Sequence, residues 1–212
     1  MQFAVVILGA GASSRMGRPK LLLPWGNTTV LGHLIAEWQH VGAEQIGVVC
    51  AAGDAGLNKE LDRLNFPADE RIVNPEPSRG MFSSIQCAAK WRGWREAITH
   101  WVITLGDQPH LARTTLRALA EFAALNPDSI CQPAYAGHAH HPVVLPRRYF
   151  ELLATSSHAM LKEFLAAHGD STQRVELPDA GLAVDLDTPA DYKEALRRLR
   201  EGSDTRRPTT GE

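Results

Sequence analysis

The sequence predicts an α/β protein, a three-layer Rossmann-like fold with a mixed, mostly parallel sheet and helices on both faces. Three observations carry that expectation. Runs that are apolar throughout, such as Val5-Val6-Ile7-Leu8 and Trp101 to Leu105, read as strands buried on both faces, as in parallel sheets. They alternate with segments of helical periodicity, which implies right-handed β-α-β units. A glycine-rich loop follows the first run and an aspartate follows the other, and ligands of such sheets bind at the carboxyl ends of the strands.

The first strand, Val5 to Leu8, stops at Gly9. Apolar residues at Val30, Leu31, Leu34, Ile35 and Trp38 then recur at helical spacing, and Gly42 stands where a C-cap glycine would. Ile46 to Cys50 reads as a second strand, followed by a polar helix over 57–64, a short strand at 71–73 and a helix over 81–91. After the strand at Trp101 to Leu105 comes a helix over 114–125. Strands at 129–133 and 143–145 flank a His-rich turn, and short helices follow near 148–154 and 159–168. Val175, Leu177 and the run Val184 to Leu186 suggest a final strand. Thr188-Pro189 opens a last helix toward Arg200, with proline at its first position. A single domain therefore spans 1–200, and the Gly, Ser, Thr, Pro and charge of 201–212 predict a flexible tail.

Of the 212 residues 44% are hydrophobic, enough to bury one sizeable core. The net charge of −2 excludes a global basic field for nucleic acid or an anionic membrane, so any anion site must be local. Cys50, Cys87 and Cys131 are odd in number and far apart, which argues against a disulfide framework or zinc knuckle and for a reducing cytoplasm. The apolar run from Phe3 is too short for a signal or membrane segment.

The most informative stretch is Leu8-Gly9-Ala10-Gly11-Ala12-Ser13-Ser14-Arg15-Met16-Gly17-Arg18-Pro19-Lys20. Small residues after a strand let phosphate oxygens approach main-chain N–H groups closely. Arg15, Arg18 and Lys20 add charge, and no acid precedes Glu37. Two familiar phosphate motifs fail on spacing. Gly17 and Lys20 are separated by Arg18-Pro19 and followed by Leu21, unlike a P-loop. Gly9-x-Gly11 begins a dinucleotide fingerprint, but Ser14 takes the third glycine's place and no acid lies about twenty residues on. A plain glycine turn would explain Gly9 and Gly11 but not the three cations.

Leu105-Gly106-Asp107-Gln108-Pro109 places Asp107 at the carboxyl end of a buried strand, where it can reach a ligand as a candidate metal ligand or serve as a solvated turn residue. Val184-Asp185-Leu186-Asp187-Thr188-Pro189 adds two acids, and strand alternation would put Asp185 and Asp187 on one face. Asp187 could equally cap the helix that Pro189 opens. His138, His140 and His141 lack neighbouring cysteines or carboxylates to complete a zinc site.

From Phe3 to about Arg200 the sequence resembles the MobA-like NTP transferases, within the glycosyltransferase A-type nucleotidyltransferase superfamily. The loop matches their pattern L-A-A/G-G-x-S-x-R-M-G-x-P-K, with Gly9 in place of the usual alanine. The resemblance implies that Leu8, Gly9, Ala10, Gly11, Ser13 and Ser14 wrap a triphosphate neutralised by Arg15 and Lys20. It implies Mg²⁺ bridging Asp107 and Asp187, with Asp185 in support, since G-D-x-P and D-x-D-T-P are both family motifs. It also places Asn74, Gly80 and Ser83 along the nucleoside, although a helix cap explains the serine as well. Gln108 and His141, the latter from an H-P-V motif, would face the acceptor. Because D-x-D-T-P and H-P-V mark the branch acting with CTP on molybdenum cofactor, the implied reaction is transfer of CMP to a molybdopterin-type cofactor. Two other readings stay open: guanylyl transfer from GTP, and a non-catalytic carrier of molybdenum cofactor that serves an oxidoreductase.

Overall fold

The computed structural model describes residues 1–11, 16 and 18–204, with main chain alone from 200 to 204. Strands β1 (Phe3–Leu8), β2 (Pro24–Trp25), β3 (Thr28–Thr29), β4 (Gln45–Ala51), β5 (Arg71–Asn74), β6 (His100–Leu105), β7 (Ile130–Tyr135), β8 (His138–Ala139), β9 (Val143–Pro146) and β10 (Thr172–Glu176) alternate with helices. These are α1 (Val30–Val41), α2 (Ala55–Arg63), α3 (Met81–Lys90), α4 (Arg113–Leu125), α5 (Arg147–Leu153), α6 (Leu161–Ala167) and α7 (Pro189–Asp204).

The main sheet runs in the order β10-β7-β9-β6-β1-β4-β5, with β8 beside β7. Strand β1 is parallel to both β4 and β6, whereas β9 is antiparallel to β6 and β7. The fold is therefore the mixed, mostly parallel one expected.

Strand alternation distributes the side chains of β1 between two cores. Phe3, Val5 and Ile7 join α1, α2, α4 and α7 on one face, and Ala4 and Val6 join α3, α5 and α6 on the other. Both faces are covered, which is why β1 reads as a continuous apolar run. Each of the fully buried Val5, Val6 and Ile7 side chains is worth about 1.5–3 kcal/mol. Helix α1 is capped at both ends as its sequence demands: Thr29 Oγ1 accepts from Gly32 N, and Gly42 takes the left-handed conformation at φ 101°.

Three elements depart from expectation. The two-residue strands β2 and β3 form a hairpin around Gly26-Asn27, a turn dipeptide whose signal the periodicity reading passed over. The last strand is Thr172–Glu176, and Val184 to Leu186 is not a strand. That segment instead docks on the loop after β6, with Leu186 N–H bonded to Asp107 O at 3.1 Å. Its apolar residues are explained by burial of Leu186 rather than by a sheet. Helix α7 runs to Asp204, past Arg200, and the remainder of the expected tail, from 205 on, lies outside the described residues. Among the described residues no helix is long and apolar enough to cross a membrane.

Candidate active site

Four segments meet at one edge because β1, β4, β5 and β6 are parallel and end together. The loop after β1 carries Gly9 to Lys20, the loop after β6 carries Asp107 and Gln108, and Asn74 ends β5. Strand β9 runs the opposite way, with Val143 facing Ile103, so His141 arrives at this same edge.

At the centre one ammonium joins two distant carboxylates. Lys20 Nζ lies 2.7 Å from Asp187 Oδ1 and 3.3 Å from Asp107 Oδ2. All three side chains are largely buried, with 16%, 31% and 24% exposure for Lys20, Asp187 and Asp107. Packing explains how Lys20 gets there. Its neighbour Leu21 is buried against Gly106, where an added Cβ would stand 2.9 Å from Leu21 Cδ2 and 3.2 Å from Leu8 O. Glycine at 106 thus allows the two loops to close on each other.

Asp187 turns inward to Lys20, and another residue caps α7. Thr188 Oγ1 accepts from Asp191 N–H at 3.3 Å, while Asp191 Oδ2 accepts from Thr188 N–H and Oγ1–H at 2.8 Å each. This reciprocal box removes the capping explanation for Asp187, and the Thr-x-x-Asp spacing was its signal. Asp185 departs from the shared face expected with Asp187: outside a strand the period-two argument lapses, and Asp185 Oδ1 accepts from Gln108 Nε2 at 3.1 Å.

The hairpin contributes an unforeseen brace. Trp25 is buried between the rings of His33 and Tyr192, and Tyr192 Oη–H donates to Pro24 O. The segment leading from Lys20 is thereby tied to the helix that follows Asp187.

The other candidates are distributed around this centre. Gly9 N–H is bonded to Val49 O at 2.9 Å, and an added Cβ would stand 2.9 Å from both Val49 O and Leu57 Cδ2. Leu8 and Ala10 are half-buried and Gly11 is exposed, whereas Ser13, Ser14 and Arg15 lie outside the described residues. Asn74 is buried, with its Nδ2 donating to Ser83 and Ser84 Oγ at 2.9 Å each. Ser83 Oγ–H points to Gly80 O at 2.7 Å, and the cap of α3 is Gly80 itself, at φ 91°. The serine-cap explanation therefore falls, because the hydroxyl donates backward instead of accepting from the first turn.

Among the described residues, several buried polar atoms at this edge have no hydrogen-bond partner: Asp107 Oδ1, Gln108 Oε1, His110 Nδ1 and His141 Nδ1. Burial pushes the pKa of the His141 imidazole below its ordinary value, against the opposing pull of the Ile103 main chain and of Asp107 and Asp185. The neighbouring His138 sits on β8, and among the described residues no three His, Cys, Asp or Glu side chains converge to hold a metal.

The chain is similar to known proteins over most of its length. A family model described as MobA-like NTP transferase domain matches residues 5–173. The chain is 26% identical to the molybdenum cofactor cytidylyltransferase of Escherichia coli K12 over 197 residues, 92% of this chain and 96% of that protein. It is equally 26% identical, over 208 residues, to a probable molybdenum cofactor guanylyltransferase of Mycobacterium marinum, covering 93% of this chain and 94% of the relative. Among solved structures, Rv0371c from Mycobacterium tuberculosis H37Rv superposes with a TM-score of 0.73 at 27% identity, covering 93% of this chain and 98% of that one.

Proposed function

The chain belongs to the MobA-like NTP transferase family and is a nucleotidyltransferase; from that premise we propose that it transfers CMP from CTP to a molybdopterin-type cofactor and releases pyrophosphate. The observation that carries this reading is the Lys20 ammonium between Asp107 and Asp187, which brings together one cation and two carboxylates from three separate segments.

Nucleotidyl transfer is an in-line attack on the α-phosphorus, so the protein's task is positioning and charge neutralisation. In this reading Lys20 and Arg15 neutralise the phosphates, and Leu8, Gly9, Ala10, Gly11, Ser13 and Ser14 shape the loop around them. Asn74, Gly80 and Ser83 build the nucleoside side; their internal hydrogen bonds make that wall rigid. Gln108 and His141 face the acceptor. A phosphate monoester has a second pKa of about 6, so at neutral pH it is ionised and needs no general base.

The residues fit a divalent cation, Mg²⁺ in this reading. Asp107 Oδ1 is buried without a partner, and the opposing Oδ2 and Asp187 Oδ1 already share one positive group. Asp107 and Asp187 would hold the ion, leaving its other positions to phosphate oxygens and water, a common arrangement for Mg²⁺. When bound, the cation supplies charge to the phosphates.

Guanylyl transfer is the second reading, favoured by the equal identity to the Mycobacterium marinum relative. A panel of the four NTPs with Mg²⁺ and molybdopterin separates the two, since preferential use of GTP overturns the assignment of CTP. A carrier that hands the cofactor to a molybdenum-dependent oxidoreductase without catalysis would release no pyrophosphate in the wild type. The three cysteines are unpaired, which supports the cytoplasm as the place of action.

A further inference from the structure

Gln108 is 4% exposed, and its Nε2 donates to Asp185 Oδ1 at 3.1 Å. A carboxylate accepts hydrogen bonds and does not donate them, so the amide cannot be turned over without placing oxygen against oxygen. With the nitrogen anchored, the carbonyl oxygen Oε1 is left buried and, among the described residues, receives no hydrogen bond. Such an unmet acceptor costs stability, a cost that a ligand's donor would remove. Gln108 follows Asp107 directly, and His141, whose Nδ1 is also buried without a partner, lies within electrostatic reach of Asp107 and Asp185.

Asp185 itself is placed differently from Asp187. The backbone between them is pinned by Leu186 N–H on Asp107 O, and the two carboxylates diverge, Asp187 to Lys20 and Asp185 to Gln108. We propose that Asp185 is a positioning residue that fixes the Gln108 amide rather than a ligand of the cation. Gln108 Oε1, at the same sheet edge as His141, then forms a subsite for an uncharged hydrogen-bond donor on the acceptor, an amide or amino N–H or a hydroxyl. An ionised phosphate offers only acceptor oxygens and does not suit this carbonyl, so the subsite reads the body of the acceptor and not its phosphate. The inference about the ligand rests on the transferase reading above; the role of Asp185 toward Gln108 does not.

The test compares Asp185→Asn, Asp185→Ala, Asp187→Asn and the near-isosteric Gln108→Met. Mn²⁺ binding, followed by electron paramagnetic resonance with a non-hydrolysable CTP analogue, should weaken about tenfold or more in Asp187→Asn and stay within about twofold of wild type in Asp185→Asn. Equal losses would make Asp185 a cation ligand and overturn the proposal. The Gln108 side-chain amide signal, identified in ¹⁵N spectra by its absence from Gln108→Met, should move in Asp185→Ala, which leaves Nε2 no acceptor at that position; an unmoved signal also overturns it. With molybdopterin as acceptor, Asp185→Asn and Gln108→Met should raise the acceptor KM by about fivefold to a hundredfold, well beyond any change in the KM for CTP. An unchanged acceptor KM removes the subsite. Should the wild type transfer no nucleotide to molybdopterin, the molybdopterin reading fails, while the Mn²⁺ and amide measurements still decide whether Asp185 orients Gln108.

Discussion

The two ends of strand β6 differ in how their polar groups are treated. At the amino end, His100 Nε2 is bonded to Pro127 O at 2.9 Å, Thr99 Oγ1–H to Gln2 O at 2.9 Å, and Arg147 Nη2–H to Glu96 O at 2.7 Å and to Ile98 O. Trp101 stacks on Phe150 with centroids 4.5 Å apart, and Arg147 lies over its ring at 5.2 Å. Only the Trp101 indole N–H lacks an acceptor among these groups. At the carboxyl end, Asp107 Oδ1, Gln108 Oε1 and His141 Nδ1 are buried without partners among the described residues. One end of the strand uses its polar groups to hold the fold together. The other, beside the Lys20–Asp107 and Gln108–Asp185 contacts, leaves three buried polar atoms unpaired among the described residues, at a cost in stability that a ligand would offset.

That contrast is sharpest where stability and activity can be separated. Trp101→Ala should cost about 3–5 kcal/mol, because it removes a stacked ring from a closed core. Urea denaturation measures this, and a loss below about 1 kcal/mol would show that the aromatic stack is not what secures the amino end. Asp107→Asn should lower turnover by about two to three orders of magnitude while shifting the unfolding midpoint little. Pyrophosphate release checks it; retained turnover would mean that the carboxyl end is not the reactive one.

Tyr192→Phe removes the hydrogen bond to Pro24 O and should cost about 1 kcal/mol in the same denaturation assay. A neutral result would deny that the hairpin braces the Lys20 segment against α7. The smallest effect is on pH dependence. Burial lowers the pKa of His100 from its ordinary 6.5, so the unfolded chain binds that proton more readily than the folded one. Its contribution holds above pH 6.5 and is lost as pH falls below that value toward the lowered folded pKa. An NMR titration of the His100 ring with a midpoint above 6.5 would reverse the sign.

Much of this was legible in the chain itself. Buried strands such as β1 and β6 are apolar throughout because both faces are covered, so their positions follow from composition alone. The carboxyl terminus of α1 was equally plain, since Gly42 has a backbone conformation that few other residues adopt. The hairpin at Gly26-Asn27 and the Thr188–Asp191 box also had local signatures, outweighed by attention to longer periodic runs. Misreading Val184 to Leu186 as a strand had a different cause: an apolar residue buried by a loop and one buried by a sheet look alike in sequence.

Sequence by itself determined which residues carry charge and which strand ends they follow, because side-chain type and burial pattern are properties of short segments. Tertiary structure alone decided the pairings: Lys20 with residues 107 and 187, Asp185 with Gln108, Tyr192 with the hairpin. Each joins positions far apart in the chain. Such contacts are set by sheet order, by the closeness that Gly106 permits and by which residue happens to cap α7, and no local periodicity encodes them.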